Sequence, residues 1–381
     1  MADPLESQRH LFDVPDDVTY LNCAYISPKP HPVREAGLRA IVDSASPWNV
    51  TANDFFEPVE ELRSAFAHLV GGDADGVAVV PSASYGSGVA AANIDLAPGR
   101  TIVMAPEEFP SDVYPWRAVV ADRGGSIVIA PEAGSGDWTD PIISSIDERT
   151  AAVMVPPCHW TDGRAFDLAA IGEATRSVGA ALVIDLSQSL GVVPFDVKAI
   201  RPDFLIAVGY KWLMGPYSLG YLWVSERYRD SGRSIEQTWQ GRKGSDDFAR
   251  LVDYTDELRS GARRFDMGEA ANFNLLPMAK AALDLISLWG PDRVEATLAP
   301  LTTRIEEGTR ELGLDPVPAA HRFGHLIGVR FPKGLPDGIR DRLAAEKVYA
   351  SVRGSAVRVS PHLYNDEADA DRFLAVLQGV L

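Results

Sequence analysis

Cysteine is almost missing from the chain, two in 381 residues. So low a number excludes a disulfide framework and a four-cysteine zinc site. Positive charge is also short: 36 Lys and Arg stand against 53 Asp and Glu, a formal net charge of −17. Such a surface repels a phosphate backbone, and no local basic cluster offsets it, so no nucleic-acid partner is expected. No uncharged apolar run approaches the roughly 18 residues of a membrane span. The polar start Met1–His10, with Asp3 and Glu6, lacks the basic head and apolar stretch of a signal peptide. The expectation is a cytoplasmic protein without a membrane segment. Glycine fingerprints are missing too, both the Gly-x-Gly-x-x-Gly of a dinucleotide fold and a Gly-Lys-Ser/Thr phosphate loop. What remains is an ordinary globular composition, 46% hydrophobic and 23% charged. At roughly 150 residues per domain the length predicts two domains.

Apolar, β-branched runs at Gly76–Val80, Thr101–Ala105, Ser126–Ala130, Thr150–Val155, Ala180–Asp185, Asp203–Val208 and Ser218–Val224 predict strands. Helical spacing lies between most of them; in Asp167–Val178, for example, Leu168, Ile171, Ala174, Thr175 and Val178 share one face. Strands that are continuously apolar are buried on both faces, which marks a mainly parallel sheet covered by helices. Arg227–Arg264 is rich in charge, Gly and Ser and predicts long loops. Two helices are expected between Asn272 and Leu312, broken at Gly290-Pro291. A strand–helix–strand–helix series follows, at His325–Phe331, Pro336–Glu346, Ser355–Ser360 and Asp366–Leu381. The domain reading is an N-terminal segment 1–30, a large domain 31–265 and a small C-terminal α+β domain 266–381.

Three places could carry chemistry. Lys211 lies in Phe204-Leu-Ile-Ala-Val-Gly-Tyr-Lys-Trp-Leu-Met214, among apolar and aromatic neighbours. Burial lowers a lysine pKa, as imine formation requires, although a lysine snorkelling to water would read the same. Asp185 ends the apolar strand, at the strand end where open α/β sheets place their ligands; a capping aspartate reads alike. The pair says more than either member. The two are 211 − 185 = 26 residues apart, one strand–helix–strand excursion. A carboxylate that protonates a pyridine nitrogen, together with an imine-forming amine, suits pyridoxal phosphate. Val80-Pro-Ser-Ala-Ser-Tyr-Gly-Ser-Gly88 follows a strand and opens a helix, so it could seat the phosphate, or Ser82 or Ser84 could simply cap the helix.

Asp185-Leu-Ser-Gln-Ser-Leu-Gly191 followed by Gly209-Tyr-Lys-Trp-Leu-Met-Gly-Pro216 resembles the class V aminotransferase superfamily of fold-type-I pyridoxal-phosphate enzymes. That group includes cysteine desulfurases, isopenicillin N epimerase-like proteins and kynureninases. The likeness runs from Tyr20-Leu-Asn-Cys-Ala24 to Arg358-Val-Ser-Pro-His-Leu-Tyr-Asn365. It implies an α/β fold with a mainly parallel seven-stranded sheet, a smaller C-terminal domain and a homodimer. It makes Lys211 the imine lysine and proton shuttle and Asp185 the partner of the pyridinium nitrogen. Gln188 and Asp162 would lie near the ring oxygen, Ala83, Ser84 and Tyr210 near the phosphate, and Phe109 against the ring. Arg358 would fork onto the substrate carboxylate, a bidentate role that lysine fills poorly. Taken singly, Phe109 reads more often as core packing than as a stacking plate, and Arg358 could be an ordinary surface ion pair.

The departures bear on the reaction. Desulfurases carry histidine where Phe109 stands, and a mobile-loop cysteine before the arginine; Val348–Arg358 contains none, and Cys23 and Cys158 read as small buried residues. Glu108-Phe-Pro-Ser-Asp-Val-Tyr114 is kynureninase-like, yet Tyr20–Pro28 lacks the Gly-Asn-Ser-Leu-Gly signature of that family. Glu269 occupies the place of a hydroxyl that reaches the partner subunit's phosphate, where a carboxylate would repel. Substrate side-chain contacts are expected from Asn22, Tyr25, His159, Trp160, Trp239 and the loop around Arg242. The tilt is toward side-chain cleavage, by β-elimination or kynureninase-like hydrolysis, with transamination or epimerisation as alternatives. A non-catalytic cofactor-binding module and a nucleotide-dependent enzyme are the readings from other classes.

Overall fold

A computed structural model describes residues 2–133 and 136–381. Strand β1 (Thr19–Tyr20) belongs to the N-terminal segment. Seven strands follow: β2 (Val77–Val80), β3 (Thr101–Met104), β4 (Ser126–Ile129), β5 (Thr150–Val155), β6 (Ala181–Asp185), β7 (Phe204–Val208) and β8 (Gly220–Val224). They form one sheet in the order β2-β8-β7-β6-β5-β3-β4. Only β8 runs against its neighbours, being antiparallel to both β7 and β2. The expected mainly parallel α/β sheet is borne out, with each predicted strand within two residues of the observed one.

The inner strands of the sheet are apolar along their length because they are covered on both faces, while the edge strand β4 is partly exposed. Val77 and Val79, Val153 and Val155, Leu182 and Ile184, and Leu205 and Ala207 enter the core on one face. Their neighbours Ala78 and Val80, Ala152 and Met154, Ala181 and Val183, and Phe204 and Ile206 enter the core on the other. This is the period-two alternation of a pleated strand with no solvent face. Helices begin where side chains satisfy their first N–H groups. Asp167 accepts from Ala169 and Ala170 N–H ahead of the Leu168–Ser177 helix, and Ser82 accepts from Tyr85 N–H ahead of Ala83–Asn93. The Pro110–Arg123 helix starts on proline and stops at Gly124, whose φ of 82° suits glycine.

The second unit holds β9 (Asp315–Pro316), β10 (Ile327–Arg330), β11 (Val348–Tyr349), β12 (Ser351–Arg353) and β13 (Ala356–Val359). Four of these form an antiparallel sheet in the order β12-β13-β10-β9, while β11 pairs in parallel with β1. The N-terminal segment is therefore fastened to the C-terminal unit, and Phe12, Cys23 and Ala24 share a core with Trp289, Leu298 and Leu363. The Leu275–Trp289 helix serves both units. Leu276, Ala279 and Leu283 join the core of the large sheet, whereas Ile286 and Trp289 join the C-terminal one. The short strands β1, β9, β11 and β12, of two or three residues, carry too few side chains for a period to appear. Among the described residues no helix is long and apolar enough to cross a membrane.

Leu205, fully buried at the centre of the sheet, tests this packing. Leu205→Ala should lower unfolding stability by about 2–5 kcal/mol through lost burial and a residual cavity, measured by urea denaturation. A loss well under 1 kcal/mol would mean that the sheet is not closed on both faces.

Candidate active site

The parallel strands deliver their carboxyl ends to one edge of the sheet, where segments after β2, β3, β5, β6 and β7 meet the C-terminal unit. There lies a cleft of about 260 Å³. Lys211 follows β7 on a tight turn in which Gly215 N–H donates to Gly209 O at 2.7 Å. A Cβ at Gly209 would fall 2.7 Å from Leu219 O, so glycine is required for the backbones to close there. The turn carries Lys211 into the cleft, its Nζ 5.1 Å from the centroid of the Phe109 ring and 5.9 Å from that of Tyr210. Burial pulls the amine down to about 8, against the opposing charge of Asp185.

Asp185, at the end of β6, is buried and accepts from Ser187 N–H at 2.8 Å. It does not line the cleft itself; its charge acts on Lys211, Glu108 and Asp112 from behind. Three acids are thus crowded in a dry place. Burial, followed by the charge of Asp185, pushes the Asp112 carboxyl well above its ordinary range. Burial likewise lifts Glu108 to about 8, although Phe109 N–H donates to it at 2.7 Å. Neither Asp112 oxygen finds a donor among the described residues. Held protonated, Asp112 becomes the donor itself, toward Asp185. Sequence reasoning quoted this block but missed the two acids; the signal available was their i,i+4 spacing beside Phe109.

Arg358, on β13, is 1% exposed. Its Nη1 donates to Trp160 O at 2.6 Å and its Nε has no partner. Burial, then the neighbouring Arg353, pulls its guanidinium down to about 9. A buried cation without a carboxylate is costly unless an anion arrives. Phe109, Gln188, Tyr210, Lys211, Arg358 and Tyr25 all line the same cleft. Gln188 is held there by Trp212 Nε1, which donates to it at 3.0 Å, and by its own bond to Ala24 O. Trp160, Tyr217 and Arg353 complete the wall.

Other expected residues stand elsewhere. Ala83 and Ser84 open their helix at the same sheet edge but outside the cleft lining. Ser82 engages Tyr85 N–H and its carbonyl engages Gly86 N–H, which leaves the first two helical N–H groups for an anion. Asp162, expected near the ring oxygen, instead accepts from Arg164 Nε and Arg330 Nη2, both at 3.0 Å, and is spent on joining the two units. His159, expected against substrate, is fully buried, with Thr161 Oγ1 at 2.7 Å from one ring nitrogen and Pro106 O at 3.0 Å from the other. Asn22 accepts from Ser351 Oγ at 2.7 Å and does not reach the lining. Trp239, 38% exposed, packs against Phe55, Phe56 and Phe248 away from the cleft. Glu269 is exposed. Cys23 and Cys158 are fully buried, with thiols pushed up by burial, Cys23 to about 12.

These features fit pyridoxal phosphate: a desolvated amine in the cleft, a proton-bearing acid cluster behind it, an aromatic plate and a free helix N-terminus. With the α/β sheet they define a fold-type-I enzyme that uses this cofactor. A family model described as Aminotransferase class-V matches residues 20–373. The uncharacterized aminotransferase YcbU of Bacillus subtilis is 27% identical over 372 residues, covering 96% of this chain and 95% of that protein. A kynureninase of Deinococcus radiodurans is 28% identical over 293 residues, covering 74% of this chain and 69% of that protein. The solved cysteine desulfurase of Thermococcus onnurineus NA1 superposes with a TM-score of 0.85 at 20% identity, covering 99% of each chain. The chain belongs to the aminotransferase class-V family.

Because its folded value is about 8 rather than the ordinary 10.5, Lys211 should lose its proton, and become nucleophilic, well below the pH of a free lysine. Cofactor-free protein titrated with a small acylating reagent should label Lys211 with a midpoint near pH 8. A midpoint above 10 would mean that the amine is not desolvated.

Proposed function

We propose that the chain acts on an α-amino acid through Lys211 and cleaves its side chain, by β-elimination or by hydrolysis of a C–C bond. The observation that carries the reading is a desolvated amine and an unpartnered, buried guanidinium in one cleft. Bound pyridoxal phosphate supplies a carbonyl that captures the substrate amine and a ring that withdraws electrons from the α-carbon. Lys211 would be attached to it, Asp185 would face its ring nitrogen, and Ala83, Ser84 and Tyr210 would hold its phosphate.

Arg358 forks onto the substrate carboxylate and fixes which bond of the α-carbon points at Lys211. Lys211, neutral in a useful fraction near pH 8, takes the α-proton at Nζ and holds it for return. Phe109 offers no proton, so no second acid–base group competes from its face. The neutral Asp112 supports Asp185 from behind and keeps charge off the acid cluster. No cysteine lines the cleft among the described residues, which argues against persulfide transfer to the protein. Kynureninase as a relative, matched over 74% of this chain, supports cleavage of the side chain. The aminotransferase name of a relative matched over 95% of its own length supports transamination as the second reading, and isopenicillin N epimerase, 24% identical, leaves epimerisation as the third. The homodimer belongs to the same proposal, with Trp239 and Glu269 standing on surface that a second copy could bring to its own cleft; light scattering reads it.

Without any keto acceptor, a keto acid and ammonia are expected from elimination, or a shortened amino acid and a carboxylic acid from C–C hydrolysis, followed by coupled absorbance assays and chromatography. A strict requirement for an acceptor would transfer the assignment to transamination. Lys211→Ala should abolish turnover, and borohydride reduction with peptide mass spectrometry should no longer find cofactor on the chain. Turnover at the parent rate would place the base elsewhere. Arg358→Ala should raise KM about tenfold to a hundredfold, the loss of a charge-assisted pair of roughly 1.5–3 kcal/mol. An unchanged KM would remove the carboxylate seat.

A further inference from the structure

The cleft holds a second arginine that the reading above does not use. Arg353 ends β12, and its hairpin partner strand β13 carries Arg358. The register pairs Arg353 with Ala356 and Ser351 with Arg358. On an antiparallel pair, directly opposed residues share a face, and so do residues two apart along a strand. Arg353 and Arg358 therefore project from the same face as diagonal neighbours, with Cβ atoms about 7–8 Å apart. Trp160 lies between them: Arg358 donates to its carbonyl, and the Arg353 guanidinium is 5.8 Å from its ring centroid.

Arg353 is half-buried, and burial pulls its guanidinium down; the one opposing influence is Tyr25. Its Nη1 donates to Val352 O at 2.8 Å. Among the described residues the side-chain hydrogen bonds of Arg353 and Arg358 go to carbonyl oxygens and not to a carboxylate, in a chain where acids outnumber bases 53 to 36. Arg353 is also among the charges that depress Arg358 and Lys211. Three cations facing one cleft repel each other in a low-dielectric place, and a single carboxylate satisfies only one guanidinium fork.

We propose that the substrate is an α-amino acid with a second anionic group on its side chain, the α-carboxylate on Arg358 and the distal acid on Arg353. This rests on the function proposed above and names its substrate class. Tyr25 and Tyr217 stand exposed at the same mouth. The α-carbon is then held at both ends across Lys211.

The test uses cofactor-loaded protein and unreactive acids. Calorimetric titration with succinate and glutarate, against butyrate as the monoacid of similar size, should give at least tenfold tighter binding for one of the diacids. Arg353→Gln should collapse that ratio toward one, while Arg340→Gln, an exposed arginine outside the cleft, should leave it unchanged. Arg358→Gln should weaken diacid and monoacid alike. Butyrate binding equal to that of both diacids, or a ratio that survives Arg353→Gln, overturns the inference and leaves the Arg358 reading standing. If none of the three acids binds the parent protein, the carboxylate seat itself is gone and both readings fall together.

Discussion

Desolvated positive charge is the constraint on which this molecule turns. Lys211 and Arg358 are both taken almost wholly out of water, and burial is the largest influence on each. Folding bears that cost only because the rest of the chain is stable without help from the site. A sheet buried on both faces, with helices capped by Ser82 and Asp167, provides that surplus. The site then runs on the unpaid electrostatics: an amine made less basic becomes a usable base near neutrality, and a guanidinium with no acid becomes a receptor. The acid cluster behind Lys211 follows the same logic with the sign reversed. Glu108 and Asp112 are driven toward their neutral forms so that the negative charge near Asp185 stays limited.

The cleft exists only because two units are held in one relation. Asp162 is the clamp, bound on one side by Arg164 and on the other by Arg330 of β10. The backbone repeats the attachment, since Gly328 N–H donates to Asp162 O at 2.9 Å. A Cβ at position 328 would fall 2.4 Å from that of Asp162, so only glycine allows the strand so close. Both guanidiniums fall on Oδ2, so that oxygen ties the units.

Much of this was legible in order along the chain, for reasons that differ by residue. The strands were legible because burial on both faces leaves unbroken apolar runs, as in Ala181–Asp185 and Phe204–Val208. Lys211 and Asp185 were legible because polar groups at the ends of such runs are conspicuous. His159 and Asn22 misled because a loop's position in sequence says it comes near the site without saying which way each side chain turns. His159 points to Pro106 and Thr161, while its neighbour Trp160 faces the cleft. Arg353 and Asp112 were not singled out, since their meaning depends on partners distant in sequence. One needs the hairpin register with Arg358, and the other the carboxyl end of β6. Trp239 and Glu269 were carried over by likeness alone, and a single copy of the chain leaves both outside its own cleft.

The mouth of the cleft draws on two segments far apart in sequence, Ala24 to Ile26 in one and Arg353 and Arg358 in the other. The parallel pairing of Thr19–Tyr20 with Val348–Tyr349 ties these segments together. Lys211 is therefore faced by walls that lie more than a hundred residues away from it on either side, and one short strand pair couples those walls to each other rather than to the sheet that carries the amine.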